Sequence, residues 1–316
     1  MSARTVLVTG ANGFVGPHLV RALSAAGARV HGAAIGPPPP GIDLAGWHAA
    51  DLENRASLAE AIGAARPDCV VHLAGQSSAA LSFEDPSATF RINALGTWHL
   101  LSAVHGAAPR ARVLVVGTSE AYGSQPEGTR VAEDAPFRPV SPYALSKAAA
   151  DTLAEVAHQT WGLDVVRTRS FAHAGPGQTP RFALPSFAQQ IAAIEAGRAE
   201  PVLRVGNLEV TRDITDVRDV AEAYVALLER GQAGAAYNVC RGAGVKLRAL
   251  TEALATRARC AIRIEVDPAR VRPADVPYLV GDPGAIRRDC GWSARIPIER
   301  MLDDLLADWR GRTSAA

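Results

Sequence analysis

Sulfur is scarce in this chain, with 4 cysteines and 2 methionines among 316 residues. Cys69, Cys240, Cys260 and Cys290 lie far apart and form no Cys-x-x-Cys pair. Neither a disulfide framework nor a cysteine-based zinc site is expected, and each reads as a small buried side chain in a reducing compartment. A dominant charge is also lacking: Lys+Arg number 33 against Asp+Glu 32, a net charge of +1. That balance gives no electrostatic ground for a nucleic acid or an anionic membrane as partner. A bound anion must be held by local geometry.

Long apolar runs are missing too. The longest candidate, Phe182 to Ile194, is interrupted by Pro185, Ser186, Gln189 and Gln190, so no membrane span is expected. The start, Met1-Ser-Ala-Arg-Thr5, leads straight into a strand-like run and carries no signal-peptide pattern. The 8 histidines include no His-x-x-x-His pair, so no catalytic metal is expected. No Gly-x-Ser-x-Gly elbow occurs, which argues against a serine hydrolase. Aromatics make up 5%, and Trp98, Trp161, Trp292 and Trp309 read as packing residues, not a stacking platform. What remains is 48% hydrophobic and 21% charged, a soluble, cytoplasmic chain of one large domain or two coupled lobes.

Two periods alternate in the first half. Thr5–Thr9, Cys69–Leu73, Val113–Val116 and Asp164–Thr168 are short β-branched runs that suit strands buried on both faces. Between them, Val15–Ala26, Ser57–Ala65, Ala88–His105 and Tyr143–Trp161 carry helical spacing. The alternation predicts an α/β fold with a doubly wound parallel Rossmann sheet. Past residue 171 the pattern loosens into a loop at Gly175–Pro180 and a helix from Phe182 to Gly197. We expect a dinucleotide-binding domain over 1–170, with about 209–240 returning to it. A smaller mixed α/β substrate lobe would comprise 171–208 and 241–316. Pro37–Pro40 reads as a stiff surface loop, and no internal repeat is present.

Gly10-Ala-Asn12-Gly13-Phe14-Val15-Gly16 follows the first strand and opens the first helix. In that context the glycines permit a sharp turn, close approach to a pyrophosphate and tight packing, with phosphates on helix N-terminal amides. The acidic residue expected to grip the adenosine ribose is missing, because the second strand ends in Ala34-Ile35. Its absence leaves NADP(H) open, the lack of a cation leaves NAD(H) open, and the reading leans to NADP(H). Asp51-Leu52 follows the third strand, where Asp51 either bonds the adenine amino group or caps the next helix.

Tyr143 and Lys147 fall at i and i+4 on a helix begun by Ser141-Pro142. A neighbouring ammonium should lower the phenol pKa and let it exchange a proton near neutrality. Thr118, at a strand end, can bond the same substrate oxygen while a nicotinamide carries hydride.

In this order the glycine loop, His72-Leu-Ala-Gly-Gln76, Asn93, Thr118, Tyr143 and Lys147 resemble the extended short-chain dehydrogenase/reductases. Ser141–Lys147, Gly175–Gln178, Val205–Leu208, Arg212–Asp219 and Arg272–Val276 are most similar to the GDP-6-deoxy-mannose reductases and the related GDP-mannose 4,6-dehydratases. The resemblance implies Thr118, Tyr143, Lys147 and Glu120 as catalytic residues. It implies cofactor contacts from residues 10–16, Asp51, Leu52, Leu73, Ala74, Gly75 and Asn93. Gln76, Ser119, Glu120, His173, Arg181, Asn207, Arg212, Arg272 and Asp275 would meet a GDP-sugar, the arginines at its diphosphate. Leu208 would line the same cleft. The activity implied is NAD(P)H-dependent reduction of GDP-4-keto-6-deoxy-mannose to GDP-D-rhamnose by a homodimer built on the Tyr143 helix and the one before it. The alternative is the dehydratase itself, in which Glu120 would expel the C6 hydroxyl, or a nucleotide-sugar epimerase. Ala172 stands where the family usually has Asn. Asp216–Asp219 more simply caps a helix.

Overall fold

The computed structural model describes residues 4–271 and 276–315. The chain runs β1 (Thr5–Thr9), α1 (Gly16–Ala25), β2 (Arg29–Ala34), β3 (Gly46–Ala49), α2 (Arg55–Ala65) and β4 (Cys69–His72). There follow α3 (Ala79–Glu84), α4 (Pro86–Phe90), α5 (Gly96–Ala107), β5 (Arg112–Thr118), α6 (Pro142–Trp161) and β6 (Val165–Ser170). After these come β7 (Ala172–Ala174), α7 (Ala183–Glu195), β8 (Val202–Val205), β9 (Thr211–Asp216), α8 (Val217–Arg230) and β10 (Ala236–Val239). The last are β11 (Gly244–Lys246), α9 (Leu247–Ala255), β12 (Arg263–Val266), β13 (Tyr278–Leu279), α10 (Gly284–Cys290) and α11 (Ile298–Ala315).

Seven strands form one sheet in the order β10-β6-β5-β4-β1-β2-β3, every pairing parallel. The winding reverses between β1 and β4, and the crevice beyond the carboxyl ends of those strands is where such a sheet takes a ligand. One face is covered by α1, α8 and α10, whose Leu19, Tyr224 and Ile286 share a core with Val6 and Val71. The other is covered by α2, α5 and α6, through Leu58, Leu100 and Ala154 against Leu7 and Val113. A third core joins α7, α9 and α11 around Leu203, Ile214 and Trp309 in the second lobe.

The returning segment differs in its start from the expected 209. Residues 211–216 form β9, which pairs with β7, β11 and β13, so the return to the large sheet begins with α8 at Val217. Residues of α10 also pack on the large sheet, because Ile286 and Cys290 complete the core under α8. The helix expected over 88–105 runs unbroken from α4 into α5, with one wide turn at Arg91–Leu95 in which Gly96 donates back to Arg91. Asn54, not Asp51, caps α2, accepting from Ala56 and Ser57 at 3.1 and 3.2 Å. Asp216 does cap α8, and Asp219 accepts from the amides of Arg295 and Ile296. Cys69, Cys240 and Cys290 are buried as expected, whereas Cys260 is exposed, and all four are free. No helix among the described residues is long and apolar enough to cross a membrane.

Candidate active site

A cleft of about 910 Å³ opens at the switch point between β1 and β4 and continues into the second lobe. At one end lies the loop from Gly10 to Gly16. Gly10 has φ +69°, and a Cβ there would sit 2.7 Å from the Ala74 amide nitrogen. A Cβ on Gly16 would sit 2.1 Å from the Ala11 carbonyl oxygen, so neither position admits another residue unstrained. No side chain caps the N-terminus of α1. Its first amides, beside Gly13, Phe14 and Val15, face the cleft end that an anion would need. The loop therefore fits the pyrophosphate of a dinucleotide. Asn12 is spent on structure, donating to the Ile35 carbonyl at 3.0 Å. Asp51 and Leu52 border the same end, as do Leu73, Ala74 and Gly75. β2 stops at Ala34, with Ile35 70% exposed and no carboxylate of its own on the ribose side.

Ser141 caps α6 by accepting from Ala144 at 3.1 Å, and Pro142 takes the first turn. That start turns Tyr143 and Lys147 to the middle of the cleft, facing Thr118 at the end of β5. The Thr118 hydroxyl lies near the Tyr143 phenol and favours its ionised form. The phenol pKa nevertheless rises above its ordinary value, first because it is buried and second because the Glu120 carboxylate is close. This departs from the expectation that Lys147 would lower it. The Lys147 ammonium instead donates to the Val116 carbonyl at 2.5 Å. Burial pulls its own pKa down to about 8, with Asp151 one turn further along α6 working in the opposite direction. Together these groups can hold a carbonyl oxygen and hand it a proton.

Asn93 does not border the cleft. Its amide oxygen accepts from the Gln76 backbone at 2.8 Å, and its nitrogen donates to Gln76 O at 2.9 Å and Ser146 Oγ at 3.0 Å. It ties the Gly75-Gln76 turn to α6, which explains the wide turn that aims it inward. Behind it, Thr97 gives its proton to the Asn93 carbonyl at 2.6 Å. His72 Nε2 must therefore donate to Thr97 at 3.0 Å, while Nδ1 accepts from Thr9 at 2.8 Å. That buried imidazole is neutral, its pKa driven down to about 3 by burial.

At the other end, Gln76, Ser119, Glu120, His173, Arg181, Asn207 and Arg212 all border the cleft. His173 stacks on Phe14 of the glycine loop, ring centroids 6.0 Å apart, so the two ends of the cleft touch. Leu208 is buried in the core of the second lobe. Arg272 and Asp275 lie outside the described residues. Several bordering residues are not singled out from the sequence, among them Gln178, Leu184 and Arg270. Gln178 closes the loop of residues 175–178 and donates to the His173 carbonyl at 3.1 Å. Its Gly-Pro-Gly-Gln stretch was visible as a motif without an assigned task. Leu184 and Arg270 gave no local signal at all.

The family of GDP-mannose 4,6 dehydratase matches residues 7–305. The GDP-6-deoxy-D-mannose reductase of Pseudomonas aeruginosa is 38% identical, over 97% of each chain. A GDP-mannose 4,6-dehydratase of Vibrio cholerae is 27% identical over 96% of this chain and 93% of its own. Among solved structures, RMD from Pseudomonas aeruginosa complexed with NADPH superposes with TM-score 0.86 at 37% identity, covering 98% of this chain and 100% of that one. The Thermus thermophilus UDP-glucose 4-epimerase complexed with NAD gives TM-score 0.86 at 32% identity, covering 97% and 99%.

Proposed function

The chain belongs to the GDP-mannose 4,6 dehydratase family, and from that premise we propose that it reduces the 4-keto group of GDP-4-keto-6-deoxy-mannose to give GDP-D-rhamnose. The observation that carries this reading is Thr118 and Tyr143 set close together beside Lys147, midway between a dinucleotide loop and an arginine-bearing pocket. A bound nicotinamide supplies the hydride to C4 of the sugar. Thr118 and Tyr143 hold the carbonyl oxygen, and the phenol gives it a proton as the C–O double bond becomes single. The resulting phenolate regains a proton from solvent. Lys147 stabilises that phenolate and holds the cofactor ribose, while Arg181 and Arg212 face the substrate diphosphate. NADPH is favoured, since no carboxylate at the end of β2 would repel a ribose 2′-phosphate and the Pseudomonas aeruginosa RMD is complexed with NADPH.

A second reading, the dehydratase, is favoured by one observation: the Glu120 carboxylate sits close enough to raise the Tyr143 pKa. One assay separates them. Reduction consumes NADPH absorbance when the keto-sugar is added, whereas dehydration converts GDP-mannose alone with no net cofactor change. Tyr143→Phe should end turnover and leave cofactor affinity in place; unchanged turnover would remove the phenol from its role.

The reaction is assigned to the cytoplasm, a reducing compartment that suits four free thiols, one of them exposed. The chain is read as a homodimer. Phe83, Phe90, Leu95 and Leu145 are 50%, 39%, 46% and 52% exposed on α3, α4, the wide turn and α6, apolar side chains that a second copy would cover.

A further inference from the structure

A second cavity, of about 610 Å³, lies on the outer side of the second lobe between the later turns of α7, β8 and the end of α11. It shares no bordering residue with the active cleft. Three arginines reach it, Arg198, Arg204 and Arg312, against a single carboxylate, Glu200. Arg198 has no ion-pair partner among the described residues, and Arg204 stands 3.9 Å from Glu265, a long pair. Arg312 is held at 2.8 Å by Asp308 and lies over the Trp309 ring at 4.8 Å. Trp309 borders the cavity at only 7% exposure, and its indole N–H has no hydrogen-bond partner. A buried donor left unpaired is unfavourable, so an acceptor brought there is favoured. Ala193, Ile194 and Val202 add apolar lining to the same cavity.

We propose that this cavity binds a nucleoside mono- or diphosphate, with the phosphates on the arginines and the base on the apolar lining. Guanidinium forks suit phosphate oxygens, and the volume falls within the roughly 300–1,000 Å³ of small-ligand pockets, far more than a lone phosphate fills. The site also adjoins the active cleft mechanically. Asp308 accepts from the Gly177 amide at 3.0 Å and Arg312 donates to the Gln178 carbonyl at 3.5 Å, so both hold the loop that carries Gln178.

GDP titrated calorimetrically at low salt provides the test, with wild type, Arg198→Glu and Ala193→Trp compared. Each variant should lose one binding event, or weaken it tenfold or more, and should keep any event belonging to the main cleft. Arg198 is exposed, so its variant keeps the fold even if the bulkier one does not. GDP binding identical in wild type and Arg198→Glu would overturn the proposal, whatever the main cleft does. Inorganic phosphate binding as tightly as GDP would overturn the nucleotide assignment.

Discussion

Lys147 donates its ammonium to the backbone carbonyl of Val116, 2.5 Å away, and so fastens α6 to β5 at the point where Tyr143 faces Thr118. Its cost is burial, which lowers the ammonium pKa to about 8. Below that value Lys147 is charged and can stabilise a phenolate; above it the charge is lost. The Tyr143 phenol moves the other way and stays protonated throughout. The rate of keto-sugar reduction should therefore hold below pH 8 and fall above it with the slope of one proton. Lys147→Arg, whose guanidinium keeps its proton, should lack that alkaline limb. A limb that persists near pH 8 in the arginine variant assigns it to another group. The same shift acts on stability: burying the ammonium penalises the fold below pH 8, and the penalty fades as pH rises from about 8 to 10.5.

Glu120 bears on Tyr143 through charge, raising the phenol pKa. Glu120→Gln removes that charge and leaves a stronger phenolic acid, so keto-sugar reduction should change by less than about tenfold. General acid catalysis is worth roughly 10²–10⁴ in rate, and a fall of that size in Glu120→Gln would give the carboxylate, not Tyr143, the proton-donating task. Steady-state rates with NADPH for Glu120→Gln and Tyr143→Phe decide between them.

The residues legible in the sequence are those whose geometry is set within a few positions. Gly10 and Gly16 make a local turn, and Ser141-Pro142 starts a helix that sets Tyr143 and Lys147 one turn apart. What could not be read depends on distant partners. Asn93 looks like a cofactor ligand by order along the chain, yet it is consumed by Gln76 and Ser146, 17 and 53 positions away. The phenol pKa depends on depth of burial and on Glu120, neither of which spacing reveals. β9 falls within the segment expected to return to the large sheet, but pairing with β7 and β11 assigns it to the second lobe.

His72 makes the fold sensitive to acid. Its ring is 1% exposed between Thr9 and Thr97, with a pKa near 3 against an ordinary 6.5. The unfolded chain takes up the proton below 6.5 and the native chain does not until about 3, so protonation favours unfolding across that window. The loss is about 1.4 kcal/mol per pH unit. His72→Gln should be less stable at pH 7, because the Thr9–Thr97 bridge is disturbed, but its stability should fall less steeply between pH 6 and 4. Denaturant midpoints across that range provide the comparison, and parallel slopes for the two proteins would show that His72 is not the group responsible.

The exposed face of α6 is tied to the chemistry on its other side. Leu145 and Val156 lie on one stripe of the helix at 52% and 36% exposure, with Ala149 and Thr152 between them at helical spacing. Tyr143 and Lys147 project from the same helix into the cleft. If a second copy covers the stripe, the wild type should elute at twice the 33.1 kDa chain mass. Leu145→Glu would place a carboxylate in the middle of that contact, whose desolvation is unfavourable without a partner. The variant should elute as a monomer, keep its far-ultraviolet spectrum, and reduce the keto-sugar more slowly because α6 loses its outer support. A monomeric wild type, or a dimer unaffected by Leu145→Glu, would place the contact elsewhere.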